Sequence, residues 1–217
     1  MSEKTRIIEP SDWDAQKYDR WYDKYEAVYL SEVHAVQRVM PIINHAVEIG
    51  VGTGRIASKI GINLGIEPSA TMSVIAKIRG IDVIRGKAEN LPFANTSFDQ
   101  VLLVTSLSFI QDVKKALDES YRVLNQSGSI VVGFLDFGTS LGRALRETET
   151  HISIAHRKHF HTADDVANAL RKAGFSNLRF VQTLFKPLEK VKRVEPGING
   201  YGQGLFVVVK AEKNIFF

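Results

Sequence analysis

The segment 46–57, Ala46-Val47-Glu48-Ile49-Gly50-Val51-Gly52-Thr53-Gly54-Arg55-Ile56-Ala57, constrains the fold of this chain more than any other. An apolar run enters Gly-x-Gly-x-Gly, and a helical pattern starts directly after it. Glycines let the backbone turn sharply and leave space where a side chain would collide with a ligand. A helix that follows aims its first amide groups at that ligand. A plain strand–helix turn needs one glycine, so three at alternate positions read as a ligand-binding loop.

The sequence around this loop sets its context. Short apolar runs at 45–49, 62–66, 81–85, 100–104 and 129–135 lack strict polar alternation. That is the texture of strands buried on both faces of a parallel sheet. Between the last two runs, Val113, Ala116, Leu117, Ser120, Tyr121 and Leu124 form a helical stripe, with Gly128 beyond its end. Thr162 is the expected N-cap of a second helix carrying Val166, Ala169, Leu170 and Ala173 and closed by Gly174. Asp164 and Asp165 suit its first turn, where acids meet the positive end of the helix dipole. Strands are expected at 177–184 and 204–210, with no helical pattern between them. The fold class is therefore α/β, a doubly wound, Rossmann-like sheet. The first 40 residues read as a helical cap: Trp13, Tyr18, Trp21, Tyr22, Tyr25 and Tyr29 recur at three- and four-residue steps before Pro41.

Composition narrows the function classes. The 217 residues contain no cysteine, which removes disulfide frameworks, thiolate metal sites and cysteine nucleophiles. No apolar stretch approaches the roughly 18–20 residues of a spanning helix, and the amino terminus has no signal-like core, so a cytoplasmic protein without a membrane partner is expected. The net charge is +4. Its lysines and arginines are scattered, and the longest basic run, 186–193, is broken by Pro187 and Glu189. A nucleic-acid partner is not the expectation from this pattern.

Two details choose among nucleotide-binding loops. A dinucleotide site favours Gly-x-Gly-x-x-Gly, whereas residue 55 here is arginine. Glu48 also stands two residues before the first glycine, where an anion would repel a pyrophosphate yet favour an ammonium or a sulfonium. With these residues the chain resembles the class I S-adenosylmethionine-dependent methyltransferases, particularly the small-molecule group related to ubiquinone-biosynthesis methyltransferases. The likeness is close over residues 43–135 and looser over 160–184. It implies a seven-stranded sheet with the last strand antiparallel, and a single domain over 1–217. Within it, 1–41 would be the cap, 42–135 the cofactor-binding half and 136–217 the acceptor side.

The resemblance also implies site residues. Glu48, Gly50, Gly52 and Gly54 would cradle the methionine part of S-adenosylmethionine. Glu67, ending the second strand beside Pro68, would accept both ribose hydroxyls, and Met72 would lie against the adenine. Gly86-Lys87-Ala88-Glu89-Asn90-Leu91-Pro92-Phe93, followed by Ser97-Phe98-Asp99, is the most family-specific match. It places adenine near Lys87, Ala88 and Glu89. The family usually has an acceptor aspartate at position 87, and a lysine has donors only, so Glu89 or backbone groups would read the adenine edge. Thr105 and Leu107, ending the fourth strand, would border cofactor and acceptor. Tyr18, in Tyr18-Asp19-Arg20-Trp21, resembles a segment that covers the cofactor in relatives. The turn Tyr121-Arg122-Val123-Leu124-Asn125-Gln126-Ser127-Gly128 matches at the level of the fold.

His151, His156, His159 and His161 cluster in sequence, but their spacing fits no zinc pattern and no metal is expected. An amine or hydroxyl acceptor must lose a proton, which makes His151, His156 and His159 the candidates for a base. The expected function is methyl transfer from S-adenosylmethionine to an oxygen, nitrogen or carbon nucleophile of a small molecule. The alternatives are an RNA methyltransferase, a nicotinamide-dependent oxidoreductase, and a non-catalytic module that binds S-adenosylmethionine. Oligomeric state is not legible.

Overall fold

A computed structural model of the chain describes residues 15–40, 45–147, 159 and 161–214. Helices α1 (Ala15–Lys24) and α2 (Glu26–Val39) precede the sheet. Strand β1 (Ala46–Ile49) leads through the glycine loop into α3 (Arg55–Ile60). Then come β2 (Leu64–Glu67), α4 (Ala70–Ile78), β3 (Asp82–Arg85), β4 (Phe98–Val104), α5 (Val113–Val123) and β5 (Leu124–Leu135). The chain finishes with α6 (Ser140–Glu147), α7 (Ala163–Lys172), β6 (Phe175–Thr183), β7 (Ile198–Asn199) and β8 (Phe206–Lys213).

All strands join one sheet in the order β3-β2-β1-β4-β5-β8-β6-β7. Strands β1 to β5 pair in parallel. Strand β8 runs antiparallel to both neighbours, β5 and β6. Strand β6 therefore runs in the same direction as β5, and its carboxyl end lies at the same edge of the sheet. The sheet has eight strands where seven were expected. The extra one, β7, is two exposed residues paired with β6, too short to leave an apolar signal. Helix α6, amphipathic but short, was likewise not anticipated.

The unbroken apolar runs have a direct cause in the packing. On β4, Leu102 and Val104 face a layer with Val28, Val33 and Val36 of α2. Val101 and Leu103 face the opposite layer, with Ala116 and Leu117 of α5 and Val166 and Leu170 of α7. Each of these valines and leucines leaves water completely or nearly so, a gain of about 1.5–3 kcal/mol per residue. Helix α7 starts as its sequence dictates: Thr162 accepts from the Asp165 amide while Asp165 accepts from the Thr162 amide. Helix α5 ends at Val123, and β5 begins at Leu124 with no loop between. The pairing jumps from Phe98–Leu124 to Gln100–Ser129, so an irregularity absorbs the residues up to Gly128.

Tyr22 is the centre of the aromatic cap, with edge-on contacts to Tyr18 at 5.5 Å, Trp21 at 5.2 Å and Tyr29 at 5.2 Å. Trp13 and Pro41 lie outside the described residues. Among the described residues, no helix is long and apolar enough to cross a membrane.

Candidate functional site

A cavity that opens to solvent lies at the carboxyl ends of β1, β2 and β4. This is the topological switch point, where the strand order reverses between β1 and β4 and ligands of open α/β sheets bind.

The glycine loop forms its floor, and its glycines answer to different neighbours. At Gly50 a Cβ would come within 2.5 Å of Ser106 Cβ, so this glycine lets the loop pass the end of β4. Gly54 is the N-cap of α3 at φ +78°, where a Cβ would press on Ile81 and Ala76. Gly52, at φ +57°, differs: a Cβ there would meet only Met72 Sδ at 4.0 Å and would otherwise enter the cavity. The loop therefore keeps open a space that only a glycine leaves free.

Glu67 stands beside it, almost fully buried. Its Oε2 accepts from the Gly52 amide at 2.9 Å and its Oε1 from the Ser69 amide at 2.8 Å. Burial raises its pKa, and the two backbone donors oppose that rise. A carboxylate has about four acceptor positions. Two are used here, and the remaining pair is available to the cavity. Ser69 caps α4 by accepting from the Met72 amide, which fixes Met72 in the cavity wall.

Tyr18, Gly50 and Gly52 line the cavity with Glu67, Pro68 and Met72, and so do Lys87, Ala88, Glu89 and Thr105. Three sequence candidates lie elsewhere. Glu48 is fully enclosed beneath the loop; burial pushes its carboxyl up to about 8, against a hydrogen bond from the Ala57 backbone. Its Oε2 has no hydrogen-bond partner, and the nearby Glu67 further disfavours its charge. Gly54 is spent on packing against α4. Leu107 turns into the apolar layer beneath the sheet. The short 3-10 turn Leu107–Phe109 that follows β4 inverts the facing, so Ser106 and Phe109 line the cavity instead.

The side that sequence reasoning assigned to adenine is built from the turn at 86–93. Glu89 is committed in part to the backbone: its Oε1 accepts from the Gln111 amide at 3.0 Å and the Asp112 amide at 3.2 Å. It ties this turn to the start of α5. The Leu-Pro-Phe stretch is held by α5 as well. Glu119 accepts from the Leu91 amide at 2.8 Å, and Arg122 donates to the carbonyls of Leu91 and Phe93. Lys87 is exposed, with its backbone in an isolated bridge to Asn90. Ile49, Ile66, Ile110 and Gln111 complete the walls. Sequence reasoning missed Ser106 and Phe109, for which only the position after β4 gave a signal.

Thr105 has φ +58°, a left-handed conformation rare for a β-branched residue and found disproportionately at functional sites. Its amide donates to the Gly133 carbonyl at 2.8 Å, which anchors the turn at the end of β4. Tyr18 reaches the cavity from α1, and its hydroxyl shares a hydrogen bond of 2.8 Å with the Tyr22 hydroxyl.

His159 is exposed and is not part of the cavity wall, although its amide donates to the Ser108 carbonyl at 3.1 Å. Its ring lies 5.8 Å from that of His161. His151 and His156 lie outside the described residues. Among the described residues, no group of three His, Asp or Glu side chains is arranged to hold a metal ion.

Comparison with known proteins adds to this geometry. A family model described as a methyltransferase domain matches residues 47–132. An uncharacterised protein of Methanocaldococcus jannaschii is 40% identical over 199 residues, covering 92% of this chain and 96% of that protein. A crystal structure from Thermotoga maritima is similar at a TM-score of 0.88 and 40% identity, over 93% of this chain and 96% of that one. It is described as an S-adenosylmethionine-dependent methyltransferase, "possible histamine N-methyltransferase". A phosphoethanolamine N-methyltransferase of Haemonchus contortus, solved with S-adenosylhomocysteine, has the same fold at a TM-score of 0.70. It is 14% identical and covers 99% of this chain and 61% of that chain.

Proposed function

The chain belongs to the class I S-adenosylmethionine-dependent methyltransferases, and from that premise we propose that it methylates a small molecule, with the cavity above β1, β2 and β4 holding both cofactor and acceptor. The observation that carries this reading is the pairing of Gly52 with Glu67. A loop that a Cβ would fill lies against a buried carboxylate with acceptor positions to spare.

Bound in this cavity, S-adenosylmethionine supplies a methyl group on a sulfonium centre. The protein's part is alignment and exclusion of water. Gly50 and Gly52 leave room for the methionine portion along the loop. Glu67 accepts from the two ribose hydroxyls. Met72, Ile66 and Ala88 give the adenine an apolar slot, and Tyr18 covers it from α1. Thr105, Ser106 and Phe109 form the wall from which the acceptor's nucleophile approaches. An oxygen, nitrogen or carbon nucleophile fits this wall, and the two N-methyltransferase descriptions among the similar structures favour nitrogen.

A second reading, an RNA acceptor, draws on one feature. Lys186, Lys190, Lys192 and Arg193 are all exposed on the excursion between β6 and β8, which leaves the sheet from its carboxyl edge. Calorimetric titration with S-adenosylhomocysteine and with NAD separates the methyltransferase site from an oxidoreductase site. Saturable binding of the first alone is the expected result; binding of NAD alone would sink the reading. Retention of RNA that weakens steeply with salt would move the acceptor from small molecule to nucleic acid.

A further inference from the structure

Helix α1 does not simply rest on the body of the protein. Asp19, the residue after Tyr18, receives the guanidinium of Arg55 as a fork. Arg55 Nε donates to its Oδ1 at 3.0 Å and Nη2 to its Oδ2 at 2.8 Å. The same Nη2 donates to the Asp19 carbonyl at 3.2 Å. Arg79, which caps the carboxyl end of α4, donates from Nη2 to Asp19 Oδ2 at 2.6 Å. Its Nη1 donates to the carbonyl of Thr53 at 2.6 Å, inside the glycine loop between Gly52 and Gly54.

One carboxylate on α1 thus gathers the first residue after the glycine loop and a cation that grips the loop itself. Exposed ion pairs contribute little. This one is sheltered, with the Asp19, Arg55 and Arg79 side chains 14%, 18% and 23% exposed. Bidentate geometry fixes direction as well as distance. The two arginines hold the Asp19 carboxyl at about 2 even though burial alone would raise it, so the clasp is charged throughout the neutral range. Asp23 offers a comparison within the same helix. It pairs with Arg55 Nη1 at 2.7 Å but is 61% exposed.

We propose that Asp19 is a positioning residue for the methyl-transfer site: through Arg55 and Arg79 it locks α1 and its Tyr18 onto the glycine loop, so that cover and loop hold their places together. The proposal rests on the reading that this cavity binds the cofactor. Tyr18 lies in the cavity wall one residue before Asp19, so loosening the clasp frees one wall of the cavity to move away from a bound ligand.

The test measures dissociation of S-adenosylhomocysteine by stopped flow, well below the unfolding temperature. The signal is tryptophan fluorescence, since both tryptophans, Trp13 and Trp21, are in the amino-terminal segment. Losing charge-assisted hydrogen bonds from the clasp should make Asp19→Asn and Arg79→Met release the ligand about tenfold faster or more. Asp23→Asn should stay within about twofold of wild type, because its ion pair is exposed. The Asp19→Asn/Arg79→Met double variant should release little faster than Asp19→Asn alone, because Asp19→Asn already weakens the Arg79 link along with the Arg55 fork. A purely structural role would lower the melting temperature and leave the release rate of the folded protein unchanged. That outcome in Asp19→Asn, confirmed folded by circular dichroism, overturns the proposal. Should Asp19→Asn fail to fold, Arg79→Met carries the same test. Absence of any calorimetric binding by wild type would strike the site reading instead, and so distinguishes the two.

Discussion

Two parts of the cavity wall present different kinds of binding surface. Around β1, β2 and α4 the cavity is built from backbone and from residues close in sequence: Gly52, Glu67, Ser69 and Met72 fall within 21 positions of one another. Their geometry is imposed by glycines, a cap and amide hydrogen bonds. On α1 and just after β4 the wall is made of side chains from separated places, including Tyr18, Thr105 and Phe109. In the proposed reading the first part would hold the cofactor, which does not change, and the second would be free to vary with the acceptor. A ligand common to a whole family is held by what the fold supplies, and a particular one by what side chains add.

The sharpest way to break this contrast is Gly52→Val. The side chain would occupy the cavity, so binding of S-adenosylhomocysteine should be lost in calorimetry. At φ +57° a β-branched residue is also strained, so the melting temperature should fall. Binding at normal strength would place the ligand elsewhere.

Next in size is the pH dependence set by Glu48. Its folded carboxyl titrates at about 8 against 4.5 for an ordinary glutamate. The unfolded chain gives up this proton first, so its contribution to stability is complete below pH 4.5 and is lost as pH rises through about 8. Glu48→Gln cannot titrate. It should therefore gain on wild type across that window, by about 2–5 kcal/mol at pH 9. Parallel urea-midpoint profiles for the two proteins would show that Glu48 is charged in the fold.

Glu67→Ala should weaken S-adenosylhomocysteine by about 1–3 kcal/mol through lost charge-assisted hydrogen bonds. Unchanged affinity would remove its ribose role and leave it as a tether of the loop. The smallest effect belongs to the acceptor side. His159→Ala should leave turnover within about twofold, because the side chain is exposed and outside the cavity wall. A large loss there would make the histidine segment part of the site and erase much of the difference between the two parts. Equivalent replacements of His151 and His156 test the rest of that segment.

The legibility of the sequence follows the same division. Strands β1, β2, β4 and β5 announce themselves because both faces are largely buried, which forces continuous apolar runs. The residues gathered at the glycine loop and at 86–93 are close in sequence and carry motif spacing. The facing of Leu107 was not legible because one 3-10 turn decides whether residue 106, 107 or 109 meets the cavity. Glu48 lies sealed under the loop, a placement its spacing could not announce, because an acid next to a ligand loop and an acid sealed under it have the same spacing. The Asp19 clasp joins residues 36 and 60 positions apart. No local pattern encodes such a meeting, since it depends on where α1 folds back onto α4.

The placement of β8 has a consequence for how the chain is made. Seven of its residues pair with β5, and it also forms the long border with β6. While the ribosome is still releasing the preceding residues, β5 and β6 have no bridge between them, and each presents a bare hydrogen-bonding edge. The nucleotide-side strands can assemble early, but the opposite side must wait for residues 206–213 to emerge. A sheet continuous from β5 to β6 therefore needs residues 206–213, and until they are present two strand edges are open to wrong partners.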